Sequence, residues 1–168
     1  MEKLIKEQTK LLNDLNNADE QIVLKSLEII REKGGEYIVL PLMEKFFNTE
    51  SEYLKDKIGD IFADLKNNKA ADIISDNILR FENHRDINIF LDYVFESAIS
   101  INKLQPFMKM FFSNDLNQAI ICSDIIEENY FNVSDEEKNA CKEIFCKNKN
   151  NLTNESHIEL VKIIEEVI

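Results

Sequence analysis

Glycine and proline are nearly missing from this chain of 168 residues, which has 3 of the first and 2 of the second. So few residues suited to positive φ or sharp turns argue against β-hairpins and for helices joined by short loops. Gly34-Gly35 is the one glycine cluster, which excludes a glycine-rich phosphate loop and fits a helix stop. There is no window of about 18 uncharged apolar residues, and the start, Met1-Glu2-Lys3-Leu4-Ile5-Lys6-Glu7, lacks the apolar core of a signal peptide. A soluble cytoplasmic protein is therefore expected. Cysteine is scarce and odd in number: Cys122, Cys141 and Cys146 lie in apolar-periodic segments and read as reduced, small core hydrophobes. On a helix Cys141 and Cys146 would point about 140° apart, which suits neither a disulfide nor a shared metal.

Positive charge is also in short supply. Lys and Arg number 20 against 32 Asp and Glu, a net charge of -12. Phosphate backbones and anionic membrane surfaces both recruit Lys and Arg, so neither nucleic acid nor membrane is expected as a partner. The chain has 2 histidines, His84 in a loop and His157 near the start of the last helix, and neither neighbours a Cys or Ser in an activating motif. Calcium-loop spacing is absent as well. No catalytic residue, metal or cofactor is expected. The glycosylation-type triplets Asn132-Val133-Ser134, Asn151-Leu152-Thr153 and Asn154-Glu155-Ser156 read as loop and helix-cap chemistry.

What the chain does have is a repeat. Leu40-Pro41-Leu42-Met43-Glu44-Lys45-Phe46-Phe47-Asn48 returns 65 residues later as Gln105-Pro106-Phe107-Met108-Lys109-Met110-Phe111-Phe112-Ser113. The 44% hydrophobic content supports one domain over residues 1–168, burying roughly 70% of the unfolded chain's surface. Apolar residues recur at helical spacing, as in Leu54, Ile58, Ile61 and Leu65 or Ile74, Ile78 and Phe81, and strand alternation is absent. Five helix pairs are predicted: 2–15 with 19–33, 36–47 with 51–66, 69–82 with 86–100, 103–112 with 115–129, and 135–147 with 155–167. Thr49 with Glu52 and Ser134 with Glu137 have capping-box spacing. Adjacent phenylalanines such as Phe46-Phe47 cannot both face inward on one helix, so a neighbouring repeat is expected to cover the second.

Pairs of about 33 residues place the chain among helical-repeat architectures. The stretch from Leu40-Pro41-Leu42 to Phe47, the polar turn at Asn48–Glu50, and Leu54-Lys55-Asp56-Lys57-Ile58-Gly59-Asp60-Ile61-Phe62-Ala63-Asp64-Leu65 resemble a shortened HEAT-like repeat of the armadillo type. Lys55 stands where that family commonly has arginine, and Ala63 where glycine is common. Residues 105–126 give a second match, and tetratricopeptide or ankyrin signatures are absent. The resemblance implies an all-α, short right-handed α-α superhelix of about five antiparallel pairs, with the second helices lining a concave binding wall.

Within 51–66, Glu52, Asp56, Asp60 and Asp64 are each four apart, and their mean direction lies roughly 160° from that of the apolar stripe. Such like-charge spacing destabilises a helix by roughly 0.2 to 0.5 kcal/mol per pair, partly relieved here by Lys55 and Lys57. Glu28, Glu32, Asp92, Glu96 and Glu127 occupy equivalent outward positions on the other second helices, and Tyr53 and Tyr93 project near them. Stacked, these residues form an acidic strip on the concave wall. HEAT-like DNA glycosylases share the architecture but need a basic face, the opposite sign. A non-catalytic interaction module binding a basic protein or peptide is expected. The alternatives are an immunity protein neutralising a basic toxin, and a helical-repeat enzyme of lyase or glycosylase type. Oligomeric state is left open by the sequence.

Overall fold

The computed structural model describes residues 2–97, 99–152 and 154–168, with side chains from residue 5 onward. Among the described residues every regular element is helical: α1 (Glu2–Leu15), α2 (Glu20–Lys33), α3 (Glu36–Asn48), α4 (Glu52–Ala63), α5 (Asn68–Asn77), α6 (Ile87–Glu96), α7 (Gln105–Phe111), α8 (Leu116–Asn129), α9 (Asp135–Asn148) and α10 (Glu155–Val167). Short 3-10 turns follow α5, α8 and α9. The all-α class read from the sequence is correct. Ala98 and Thr153, which fall in the expected 86–100 helix and the middle glycosylation-type triplet, lie outside the described residues.

The helices pack in two rows. Odd-numbered helices touch the next odd helix (α1 to α3 to α5 to α7 to α9), and even-numbered helices the next even one (α2 to α4 to α6 to α8 to α10). One buried apolar cluster runs between them from Leu15 to Ile164. The arrangement is compatible with a helical repeat, in which each unit is stabilised by its neighbours.

The paired phenylalanines show how. Phe46 and Phe47 are both buried: Phe46 packs edge-on to Phe90 of α6, while Phe47 stacks flat on Phe81 at 4.2 Å, beyond its own helix pair. Phe111 and Phe112 repeat the division, Phe111 lying fully buried and Phe112 reaching Phe145 of α9.

Several boundaries differ from the sequence reading. The α4 helix stops at Ala63 rather than residue 66, because Asn67 is taken as the N-cap of α5, accepting from the Lys69 N–H at 3.0 Å. The α6 helix stops at Glu96, where Ser97 turns extended and its Oγ donates to the Val94 carbonyl at 2.6 Å. Pro106 sits in the first turn of α7, so that helix starts at Gln105 and not at 103, whereas Pro41 lies inside α3. The sequence repeat thus aligns α7 with only the later part of α3. The cap of α4 is Ser51, two residues beyond Thr49, accepting from the Leu54 N–H at 3.3 Å; Ser134 does cap α9 as read. The Gly34-Gly35 stop involves no positive φ: Gly34 is extended, and a Cβ there would lie 2.4 Å from the Ile30 carbonyl oxygen.

Polar links join each unit to the next at the repeat's own spacing. Lys69 pairs with Glu36 at 3.0 Å and Arg80 with Glu44 at 3.0 Å, and Gln105 donates twice to Glu137 at 2.8 Å. The most enclosed link is Lys55. Only 2% exposed, it pairs with Asp86 at 2.8 Å and Glu52 at 2.9 Å, bridging α4 to the start of α6. Hydrogen bonds to Asp86 and Glu52 raise the Lys55 pKa, while burial opposes them. Burial pushes the Asp86 carboxyl up, but Lys55, with Arg85 and His84, outweighs it and the net shift is down.

A depressed carboxylate contributes stability that is present above its unfolded pKa, about 4, and lost as pH falls through its lower folded value. A raised lysine contributes below about pH 10 and loses that contribution as pH rises further. Lys55→Met should therefore cost about 3 to 5 kcal/mol in urea unfolding at neutral pH by stranding Asp86. Adding Asp86→Leu should recover a large part of that loss. Independent, additive effects of the two substitutions would refute the bridge.

Candidate functional site

Among the described residues no group of three or more His, Cys, Asp and Glu could hold a metal ion. His84 is a turn residue: its Nδ1 accepts the Asp86 N–H at 3.2 Å and its ring meets Phe47 edge-on. His157 is buried, with Nε2 2.6 Å from the Phe111 carbonyl. A carbonyl only accepts, so Nε2 carries the proton and ties α10 to α7. Cys122 and Cys141 are buried, as expected, and burial raises both thiols, Cys141 to about 12 with help from Glu137. Cys146 is exposed, a correction to the core reading; its five-residue offset from Cys141 turns it to the far side of α9. A cavity of about 140 Å³ between α2, α3, α4 and α5 is walled mainly by Ile38, Val39, Leu42 and Phe62, with Arg31 and Asp64 at its edge. No helix among the described residues is long and apolar enough to cross a membrane.

The carboxylates singled out from the sequence fall into two groups. Those on α4 are largely matched: Glu52 by Lys55, Asp60 by Lys57 at 3.5 Å, and Asp64 by Arg31 of α2. On α2, Glu28 and Glu32 are exposed, but Glu28 shares a groove of about 580 Å³ with Lys25, Arg31 and Lys57. Tyr53 lines the same groove, 56% exposed, with the Lys57 Nζ 5.6 Å from its ring centroid. The α2–α4 end of the even row is thus of mixed sign, and the acidic strip does not continue unbroken across it.

The α6–α8 end is different. Asp92, Glu96, Asp124 and Glu127 form no ion pair among the described residues. Burial raises the Asp92 pKa, and the charges of Glu96 and Asp124 raise it further. Burial likewise raises Asp124 and Glu127, the latter aided by Asp124. Tyr93 joins this field to α4. Its hydroxyl donates to Asp56 at 3.4 Å, and burial, then Asp56 and Asp60, then Glu96, push its pKa up. The structure therefore brings Asp56, Asp92, Glu96, Glu127 and Tyr93 together in one negative field, with Asp60, paired to Lys57, at its edge, and leaves Glu28, Glu32, Glu52, Asp64 and Tyr53 outside it.

Sequence reading missed Asp124, although it sits three residues before Glu127 and so shares its helix face. It also missed Gly59. A Cβ there would lie 2.1 Å from the Tyr93 ring, so glycine is what lets that ring lie flat over α4. Comparison with protein-family models, with curated proteins and with solved structures gives no match.

Two outcomes follow from this geometry. Gly59→Ala should destabilise by about 1 to 2 kcal/mol despite alanine's better helix propensity, and Tyr93→Ala in the same chain should relieve the clash, both read from thermal unfolding. A Gly59→Ala protein at least as stable as the parent would refute the close approach. A raised carboxylate pKa means the folded state takes up protons more readily than the unfolded one, so this contribution to stability grows as pH falls and is lost above the folded pKa. Asp92→Asn should accordingly leave stability at pH 7 unchanged or raised by up to about 0.5 kcal/mol, with the difference shrinking toward pH 4. A clear loss at pH 7 would show Asp92 to be a structural link.

Proposed function

We propose that this chain is a non-catalytic protein-interaction module, a HEAT-like stack of helix pairs whose even-helix face receives a basic protein or peptide. The observation that carries the reading is the unmatched field of Asp92, Glu96, Asp124 and Glu127, joined through Tyr93 to Asp56. Several carboxylates of this chain are held by a neighbouring unit, as Glu36, Glu44 and Asp76 are. On α6 and α8 the charge is repulsive, and Asp92, Asp124 and Glu127 are partly desolvated, so folding gains nothing from it, whereas a cationic partner would. Clustered charge of one sign raises association rate and fixes orientation. In the HEAT-like arrangement the second helices line the inner curve, which would bring the acidic rows of α4, α6 and α8 toward a common partner.

The test uses a fluorescent lysine-rich peptide titrated at low and at high salt. The triple variant Asp92→Asn, Glu96→Gln, Asp124→Asn should lose about tenfold or more in affinity at low salt, with most parent binding abolished at high salt. Asp64→Asn, a carboxylate already held by Arg31, should change affinity less than twofold. Equal effects of the two variants, or none from the triple, would reject the α6–α8 field as the contact.

A further inference from the structure

Three large apolar side chains stand exposed on three successive even helices: Tyr53 on α4 at 56%, Ile89 on α6 at 45% and Ile120 on α8 at 39%. A single exposed isoleucine means nothing, since folded proteins carry many. These three are placed alike. They are the second, third and fifth residues of their helices. The helices run the same way, because links join like ends: Glu20 to Ser51 at the starts of α2 and α4, Lys55 to Asp86 at the start of α6, and Asn88 to Asp115 at the start of α8. The three residues therefore form a row that crosses the helices near their N-terminal ends.

The acidic residues run beside this row. Tyr53 is followed by Asp56 and Asp60, and Ile89 at the same offsets by Asp92 and Glu96; Ile120 is followed by Asp124 and Glu127. At 100° per residue each carboxylate projects within about 60° of the apolar side chain that precedes it. Where the two rows meet, a cleft of about 290 Å³ opens between α6 and α8, lined by Asn88, Asp92, Asn117, Ile120 and Ile121. This is a seat for one apolar side chain with a carboxylate on its rim.

We propose that this face binds a basic amphipathic α-helix lying across α4, α6 and α8, with one apolar residue every second turn on the Tyr53–Ile89–Ile120 row and lysines or arginines along the flank that meets the carboxylates. This rests on the basic-partner reading above and narrows it to a helical partner. Spacing selects the helix. Packed neighbouring helices are about 8 to 10 Å apart, and in an α-helix a step of seven residues advances about 10.5 Å with only about 20° of drift. An extended chain presents same-face residues about 6.6 or 13 Å apart and falls out of register with the row. Charge complementarity supplies the sign: with Lys and Arg at 20 against 32 Asp and Glu, and unmatched carboxylates beside the Ile89 and Ile120 part of the row, a neutral or acidic helix would bury apolar surface against an unfavourable field.

Two synthetic peptides of identical composition separate the ideas. One, of three heptads held helical by a side-chain staple, carries leucine at every seventh position and lysine along one flank; the other has the same residues reordered to remove the amphipathic face. The stapled helix should bind at least about tenfold tighter by anisotropy at moderate salt, and Ile89→Ser with Ile120→Ser, checked for fold by circular dichroism, should remove most of that difference. Amide shifts should map to the first halves of α4, α6 and α8. If both peptides bind equally and the isoleucine variant changes nothing while the triple carboxylate variant abolishes binding, the helix proposal falls and the basic-partner reading stands. If neither peptide binds the parent protein at low salt, both fall. Equal binding by a stapled helix with glutamine in place of lysine overturns the requirement for a basic partner.

Discussion

A helix pair in this chain carries more apolar surface than its own two helices can cover, and the rest of the architecture follows from the way neighbours cover the remainder. Phe46 and Phe47 make the point at one place. Adjacent residues on a helix diverge by about 100°, so the two rings reach different neighbours. Phe90 of the next pair meets both, with Tyr93 also on Phe46 and Phe81 on Phe47, and His157 and Phe145 meet Phe111 and Phe112 in the same way. A chain built this way cannot stop at one pair without exposing phenylalanine to water. Its one buried cluster accordingly runs through successive pairs, from Leu15 to Ile164.

Polar chemistry follows the same geometry. Once like helices are fixed side by side, a charged group on one is answered across the contact by a group roughly one repeat away in sequence, as Arg31 answers Asp64, Lys69 Glu36, Arg80 Glu44 and Arg85 Glu50. Most of these pairs are exposed and contribute little each. Lys55 with Asp86 is the exception, because both groups are enclosed and either alone would be a buried charge. Such links sort the many carboxylates of this chain into those that answer a neighbour and those that answer nothing. Among those that answer nothing, Asp92, Glu96, Asp124 and Glu127 stand together on adjacent helices of one row.

The helical class and most helix ends were legible in the sequence because they depend on local signals: three-and-four spacing of apolar residues, Ser134 and Asn154 at helix starts, and few residues suited to other conformations. The segment after α6 was harder. Ile99, Ile101 and Leu104 are buried and periodic enough to extend a helix, yet they run as a connection held by the Asn68 and Asn129 side chains accepting from the Ser100 and Ile101 N–H groups. That preference comes from residues about thirty positions away, which no local pattern encodes. The acidic candidates show the same limit. Helical arithmetic put the α4 carboxylates on the solvent face, but not which of them Arg31 or Lys57 would meet, and a lysine flanked by charges gave no sign that Lys55 would be buried. Gly59 carried no signal of its own in the sequence, because what it accommodates, the Tyr93 ring, lies 34 positions further on.

Gly59 also connects stacking to the negative field. Because it has no side chain, α4 accepts the Tyr93 ring against its backbone, and the ring carries its hydroxyl to Asp56. Partial burial is what lifts Asp92 of α6 and Asp124 and Glu127 of α8 above their usual range. A close helix contact therefore makes the charges costlier than they would be on an isolated helix, and also makes them stronger toward a cation, since the same reduced solvation that penalises them alone increases their attraction to an opposite charge. Stability and affinity are opposed at these positions by one physical cause. One lysine on α6 or α8 would relieve that repulsion; the side chains beside the acidic residues there are instead Ile89, Ile120, Asn88 and Asn117.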